Sequence, residues 1–419
     1  MTDEISFEKA ESLDLKRTAY IGIAAFGFVS LFGDIIYEGA RSIVPSYLEF
    51  LGATALIVGL AAGIGEFLGY SLRLVSGYLA DTTKSYWLFT IIGYTLLIAI
   101  PIMAFAGHWI IAVLLILVER TAKALRSPSR DTLLSVITKG MGAGKAFGLH
   151  EMMDQIGATV GPAIIAIILF YTNNDFFWAF LALLIPYLIL VGILFTVYFK
   201  LRHKTAYLIE HIDLSEKKKP QRLTLEFKLY TLAVLLNTAG LVHVSIILYS
   251  ATMLTPAWMV SILYLVLQGV DAFIAPISGH FYDKYGKSVL SIPFILSVIP
   301  SVFVFFGTFE GIIVAVFFFG TVLGMQESIY RAAISDLTSV KKRGIAYGIF
   351  NTAYGGGFLI SGAIFGWFLD NIGILPTYTL LGYTLYVPAV IYTITLQIIA
   401  LGLLSRLKSA RDRENKENI

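Results

Sequence analysis

The sequence predicts an all-α polytopic membrane protein, with twelve transmembrane helices in two pseudo-twofold-related six-helix bundles. Three observations carry this expectation. Of the 419 residues, 57% are hydrophobic and only 14% are charged, and the mean hydropathy is +0.78. A soluble core of this length would need far more charge on its surface. Apolar runs of about the length a bilayer demands follow one another along the chain, separated by short polar turns. Landmarks of the first half then return in the second.

Taken in order, the first span starts near Thr18 and continues past Asp34, Glu38 and Arg41 to about Tyr47. The polar residues 1–17 before it lack a basic start and a small-residue cleavage site, so the first span is expected to act as its own targeting signal. Span two runs from about Thr54 to Tyr78, and span three from Tyr86 to Phe105. Span four covers Trp109 to Arg126, with Pro128 expected to mark its end. Span five begins near Ala146 and stops before Thr172, and span six is Phe176 to Phe199. Residues 200–225, with Lys217, Lys218, Lys219 and Pro220, read as a linker between an 18–199 bundle and a 226–405 bundle. Spans seven to twelve are expected at about Phe227–Met253, Pro256–Tyr282, Ser288–Phe306, Gly311–Ser335, Ile345–Leu369 and Tyr378–Leu404, with a tail at 406–419.

The basic residues orient the chain. Lys84, Lys139, Lys145, Lys284, Lys287, Lys341, Lys342, Arg343 and the tail all fall on one side; the opposite loops hold no Lys or Arg apart from Arg41 near a span end. The positive-inside rule then places both termini and the linker in the cytoplasm, the membrane being the plasma membrane.

Internal repetition supports the division. Arg126-x4-Asp131 matches Arg331-x4-Asp336, and Phe147-Gly148 followed by Gly157 matches Tyr347-Gly348 followed by Gly357. Gly77-Tyr-Leu-Ala-Asp81 matches Gly279-His-Phe-Tyr-Asp283. Parallel six-helix repeats of this kind belong to transporter architecture.

Ionisable residues inside spans single out the candidate site, because a charge at that depth costs several kcal/mol unless it meets water or a partner. At about 1.5 Å per residue, Glu66 lies roughly 16 Å from the outer end of its span, Glu119 and Arg120 roughly 15 to 17 Å, and Asp154 roughly 13 Å from the inner end. Asp34 falls slightly above them, so these charges of the first half converge near the midplane. Glu38 and Arg41, nearer the outer mouth, are spaced to pair with each other. Arg73 and Arg126 lie near the inner surface, where snorkelling explains them. Asp271, Asn351 and Glu327 represent the second half, which is poorer in midplane charge. His150 reads as a polar contact at the inner end, next to Glu151 and one turn from Asp154.

The loop Gly279-His-Phe-Tyr-Asp283-Lys284-Tyr-Gly286-Lys287 closely resembles the signature loop of the major facilitator superfamily, and the likeness extends over essentially the whole chain. It implies that family's fold, with Gly77, Asp81, Arg130, Asp131, Gly279, Asp283, Gly286, Lys287, Arg331 and Asp336 in conformational loops. In the first copy Thr83 stands for the turn glycine. Gly148-x8-Gly157-x3-Gly161-Pro162 is similar to the antiporter signature of proton-driven drug exporters, although Ile165 and Ala166 replace its terminal glycines. Arg120 falls where those exporters carry an arginine linked to proton transfer, with Lys123-Ala124 in place of Gln-Gly.

These readings favour a proton-coupled exporter of small amphipathic molecules, working as a monomer in the bilayer by alternating access. Three or four carboxylates near one arginine cannot all stay ionised in a low-dielectric cavity, so one is expected to carry the exchanged proton, either Asp34 or Glu66. An uptake symporter or facilitator is the alternative, and a non-transporting sensor a third. No Walker loop, zinc-type His cluster or serine nucleophile elbow occurs, and cysteine is absent, so no enzyme, cofactor, metal or nucleic-acid partner is expected.

Overall fold

The computed structural model describes residues 2–138, 143–210, 223–338, 343–374, 377–380 and 383–407. The helices in chain order are α1 (Thr2–Phe50), α2 (Ala55–Thr83), α3 (Tyr86–Thr95), α4 (Ala99–Ile102), α5 (Trp109–Ile137), α6 (Ala143–Tyr171), α7 (Phe176–Ala182) and α8 (Leu184–Glu210). The second half holds α9 (Leu225–Gly240), α10 (Val244–Thr252), α11 (Ala257–Tyr285), α12 (Ser291–Leu296), α13 (Val298–Phe303), α14 (Phe309–Met325), α15 (Arg331–Leu337), α16 (Arg343–Asp370) and α17 (Val387–Leu404). Lys217–Pro220 and the tail beyond Leu407, together with Lys139, Lys341 and Lys342, lie outside the described residues.

Among the described residues, ten helical segments are long and apolar enough to cross a membrane. One of them, Ala257–Phe306, is 50 residues long. At about 1.5 Å per residue that is more than twice the bilayer core, and the chain turns inside it at Gly286. Helix α5 has a spanning length, but Glu119, Arg120, Lys123 and Arg126 interrupt its apolar run.

Local chemistry sets the ends. Thr54 accepts from the Ile57 N–H, Thr224 from Phe227 and Thr308 from Gly311, each satisfying an orphan donor at a helix start. Gly286 has φ +63, as a tight turn requires. Its counterpart by interval is Lys84, with φ +56, so the turn position of the first copy is Lys84 and not Thr83.

The expected third, sixth, ninth and tenth spans are each divided by short irregular turns, and four further differences from the sequence expectation follow. Helix α5 passes through Pro128 instead of ending there. Proline removes the N–H that would bond the Ala124 carbonyl, and Ser76 Oγ of α2 donates to that carbonyl at 2.7 Å in its place. The expected seventh span is broken between Gly240 and Val244. The backbone freed there is satisfied by side chains: Val242 N–H donates to Ser301 Oγ at 2.8 Å, Ser361 Oγ donates to the Leu241 carbonyl, and Tyr392 OH donates to the Ala239 carbonyl at 3.1 Å. The expected twelfth span loses its start to an antiparallel hairpin, β1 (Thr377–Leu380) with β2 (Tyr383–Tyr386), an exception to the all-α expectation. Finally, α1 begins at Thr2 and α8 reaches Glu210, so helix extends into both flanking segments.

The core is divided along the chain. One apolar cluster has its buried members within residues 227–404; a second, around Tyr47, Tyr94 and Phe180, is mostly of the first half but takes in Tyr249 and Ala257, and a third lies around Phe26 and Leu133. Glycines draw helices together within and across the halves. A Cβ at Gly157 would lie 2.5 Å from the Leu31 carbonyl oxygen and one at Gly161 2.5 Å from that of Ile35, so these two seat α6 on α1. Gly148 has nothing within 4 Å and takes no part, contrary to expectation. Across the halves, Gly59 meets Gly362, and a Cβ at Gly366 would lie 2.6 Å from the Ala55 carbonyl.

Candidate functional site

Helices α2 and α16 pack along their length, from Gly59 against Gly362 to Gly348 against Leu74, but the hydrogen bonds between the halves cluster at one end of the molecule. Asp370, at the end of α16, accepts from the Ala55 and Leu56 N–H groups at 2.9 and 3.0 Å and so caps α2 from the other half. Ser42 bonds Ser261 at 3.2 Å, and Ser46 lies 2.8 Å from Thr252. Below this seal lies a cavity of about 580 Å³, lined from both halves and reaching the exposed Glu151 at the opposite end.

The charges of the first half form a chain. Arg41 Nη2 donates to Glu66 Oε1 at 2.6 Å, and Arg120 Nη1 stands 3.4 Å from the same oxygen. Arg120 Nε is 3.6 Å from Glu119 Oε2, and its Nη1 also donates to the Tyr37 hydroxyl. Arg41 Nη1 is 3.9 Å from Glu38 Oε1, so its main partner is Glu66 and not Glu38. Tyr264 of α11 donates to Glu38 Oε2 at 2.5 Å and carries the chain into the second half. Glu38, Glu66, Glu119 and Arg120 are all buried, where an ion without a partner would be expensive. The expected single arginine is therefore two, Arg41 and Arg120, both serving Glu66.

Position separates the expected site residues. Asp34, Glu38, Arg41, Glu66, Asp154, Asp271 and Asn351 line the cavity. Glu119 and Arg120 do not; they stand behind it in a narrow pocket with Tyr37 and Ile116. Asp34 has no cationic partner within 4 Å among the described residues. The bare face of Gly157 makes room for it, since a Cβ there would lie 3.0 Å from Asp34 Cβ. His150 Nε2 stands 3.7 Å from Asp154 Oδ2 on the same helix face.

The loop residues divide likewise. A Cβ at Gly279 would meet Ser328 Oγ at 2.8 Å, and one at Gly77 would meet Pro128 at 3.5 Å, so both allow close helix contact. Asp81 accepts from Tyr86 OH at 3.0 Å, and Asp336 from Tyr282 OH at 2.8 Å. Arg130 pairs with its neighbour Asp131 at 2.9 Å and donates to Ser30 at 3.1 Å. Asp283, expected to face a helix end or a base, is exposed and has no basic partner within 4 Å among the described residues. Lys287 follows Gly286 in a single 3-10 turn.

The expectation that Arg73 and Arg126 snorkel is corrected: both line the cavity, Arg126 is buried, and its guanidinium sits 5.1 Å from the Tyr94 ring centre. Lys123, Arg126 and Arg130 recur every three to four residues on α5, a polar stripe readable in the sequence but unused. Tyr264 and His243 had no such signal. His243, at the broken helix, accepts from the Ser245 N–H at 3.1 Å and lines the cavity.

A second polar network was also missed. Asn237 Nδ2 donates to Gln397 Oε1 at 2.8 Å and to Ser297 Oγ at 3.0 Å. Its Oδ1 accepts from Tyr330 OH at 2.7 Å and Gln326 Nε2 at 3.1 Å, and Tyr354 OH donates to Gln326 Oε1 at 2.8 Å. This cluster anchors a π-helical turn, Gln326–Tyr330, inserted between α14 and α15 where Glu327 and Arg331 reach the cavity.

The comparisons agree with this architecture. The family model of the Major Facilitator Superfamily matches residues 23–263 and again 230–418. An uncharacterized protein of Mycobacterium tuberculosis is 35% identical over 365 residues, covering 85% of this chain and 89% of its own length. An uncharacterized MFS-type transporter of Methanocaldococcus jannaschii is 26% identical over 352 residues, covering 82% and 86%. A point variant of the nucleoside transporter NupG superposes with TM-score 0.71 at 15% identity, over 91% of this chain and 99% of that one. The peptide transporter POT in complex with sulfate gives 0.66 at 14%, over 94% and 97%. With its doubled family match, its multi-pass helical fold and its cavity between the halves, the chain belongs to the Major Facilitator Superfamily.

Proposed function

We propose that this protein is a proton-coupled secondary transporter that moves a small polar solute across the plasma membrane by alternating access, with export by antiport as the preferred direction. The observation that supports it best is the chain from Glu119 through Arg120, Glu66, Arg41 and Glu38 to Tyr264, which joins titratable groups to the contact between the halves. A proton delivered to Glu38 or Glu66 would weaken the ion pairs beside the seal and favour its opening; the cargo would respond to the same equilibrium. Asp34 is the better carrier of the exchanged proton, because Glu66 is held by two guanidinium groups while Asp34 faces the cavity without one. The charged lining suits a polar cargo better than the amphipathic one expected from the sequence.

In this reading the chain works as a monomer with twelve crossings, α5 and the two arms of Ala257–Phe306 completing the count. Residues 18–199 and 226–405 form the two bundles, residues 200–225 link them, and the linker and both termini are cytoplasmic. The cavity then opens inward. The test uses proteoliposomes with an imposed pH gradient and a panel comprising a nucleoside, a dipeptide and a dicarboxylate, with each acid neutralised singly. Asp34→Asn is expected to abolish gradient-driven movement by at least tenfold while retaining solute exchange at zero gradient. If no single neutralisation at Asp34, Glu38, Glu66, Glu119 or Asp154 separates the two activities, coupling does not run through this cluster. Uptake driven by an inward proton gradient would select symport instead.

A further inference from the structure

Two arginines in the cavity have been given no work by the ion-pair chain. Arg73 of α2 and Arg331 of α15 come from opposite halves, both line the cavity, and they act on each other electrostatically as like charges. Neither has a carboxylate within 4 Å among the described residues. Arg331 has a candidate at the right interval, since Glu327 precedes it by four residues, the spacing of a helical ion pair. The π-turn between them breaks that register, and its place is fixed by the Asn237 and Gln326 hydrogen bonds. Arg73 Nε is buried without a hydrogen-bond partner. Its guanidinium stands 5.1 Å from the Tyr70 ring centre, and Tyr70 meets Tyr354 of the other half edge-on at 5.3 Å. Asn351 completes the lining at this level.

Glu327 acts on Arg331, and Glu66 on Arg73, as opposite charges from beyond contact range. Two guanidinium groups that feel each other's charge with no carboxylate in direct contact repel, and the arrangement is relieved by an anion between them. The planar fork of arginine matches carboxylate and phosphate oxygens in pairs, which an ammonium does not. We infer that Arg73 and Arg331, with Asn351 beside them, form a subsite for the carboxylate or phosphate group of an anionic cargo, bridging the two halves over the Tyr70–Tyr354 floor. The inference rests on the transporter reading and narrows its cargo to small organic anions. Because each half supplies one arginine, an anion bound here would favour the conformation in which this end of the two halves approaches.

The test is thermal unfolding of the purified full chain in detergent, at constant ionic strength, with succinate, inorganic phosphate or chloride. Succinate or phosphate at a hundredfold excess over its Kd is expected to raise the midpoint by roughly 5 °C relative to chloride. Arg73→Gln and Arg331→Gln should each remove that rise, while Arg202→Gln, on the exposed inner stretch of α8, should keep it. As a check independent of mutant folding, either anion should protect Arg73 and Arg331 of the unaltered protein from phenylglyoxal, read peptide by peptide. Absence of both stabilisation and protection overturns the subsite, as does stabilisation that survives both substitutions. Stabilisation by phosphatidylglycerol but by neither free anion assigns the pair to a lipid headgroup and overturns it equally. Anion binding without any proton-driven movement in the liposome assay leaves the subsite standing and removes the coupled-transport reading.

Discussion

Glu66 in the first half and Asn237 in the second are both buried hubs that join helices of their own half, yet one is an ion and the other an amide. Glu66 ties α2 to α1 and α5 through two guanidinium groups. Asn237 ties α9 to Ser297 between α12 and α13, to α17 and to the π-turn through neutral donors and acceptors. Glu66 holds its partners by charge, whereas Asn237, an amide, holds its partners by neutral hydrogen bonds alone. The difference teaches how the labour is divided. The first half contains an ionic interior, which the proposed function would switch, and the second a neutral one that fixes a broken helix and a π-turn in place. A rigid frame facing a switchable one is what a coupled device needs, because the charge change is then turned into relative motion and not dissipated as local rearrangement.

The largest effect is expected where the rigid frame is broken. Asn237→Leu strands Gln397 Oε1, Gln326 Nε2 and the Tyr330 hydroxyl in a buried site. Each lost partner costs about 1–3 kcal/mol. The variant should unfold well below the parent in a thermal scan, and by the same margin at pH 6 and pH 8. A pH-dependent loss would mean that the second half also switches, and the contrast with Glu66 would fail.

Next comes the seam between α1 and α6 in the first half. Gly157→Leu places a branched side chain where even a Cβ lies 2.5 Å from the Leu31 carbonyl oxygen. Overpacking against backbone of this kind costs roughly 3 kcal/mol or more. Ala163→Leu, on the same helix but half-buried, should cost far less. Yield of monodisperse protein and its unfolding midpoint read the difference. Equal behaviour of the two variants would show that the glycine spacing is incidental to how Asp34 is presented.

What the sequence made legible follows the same division. Ions inside apolar spans are conspicuous because each is costly, so Asp34, Glu38, Arg41, Glu66 and Asp154 could be found, and the structure brings them to one cavity wall. Glycine spacing was half informative: Gly157 and Gly161 touch α1, while Gly148, one motif position away, touches nothing. A motif gives the chance of a close approach, but the rotation of the neighbouring helix decides it. Asn237, Ser297, Ser301, Ser361 and Gln397 left no trace, since single neutral polar residues in membrane helices are common and acquire meaning only when folding brings them together. The helix break they support was invisible for that reason. Pro128 misled in the opposite direction, because the residue that rescues its helix, Ser76, lies on another span. Tyr264, bonded to Glu38 from 226 positions away, is the extreme case.

The smallest expected effect compares the two copies of the signature loop, one in each half. In the second copy Gly286 makes the turn at φ +63, and Asp283 is exposed without a basic partner within 4 Å among the described residues. In the first copy Lys84 makes the turn at φ +56, and Asp81 accepts a hydrogen bond from Tyr86. In this conformation, then, Asp81 is engaged and Asp283 is not. If Asp283 takes a partner only when the cavity closes at this end, Asp283→Asn should leave stability unchanged and shift the balance of conformations by about two- to fivefold, on the order of 0.5–1 kcal/mol. Asp81→Asn keeps an acceptor for the Tyr86 hydroxyl and should shift it less. Distance measurements between spin labels on the two halves at the Glu151 end would read both populations. An unchanged distribution in Asp283→Asn would make that loop a solvated turn, and the asymmetry between the halves would then lie in their buried hubs alone.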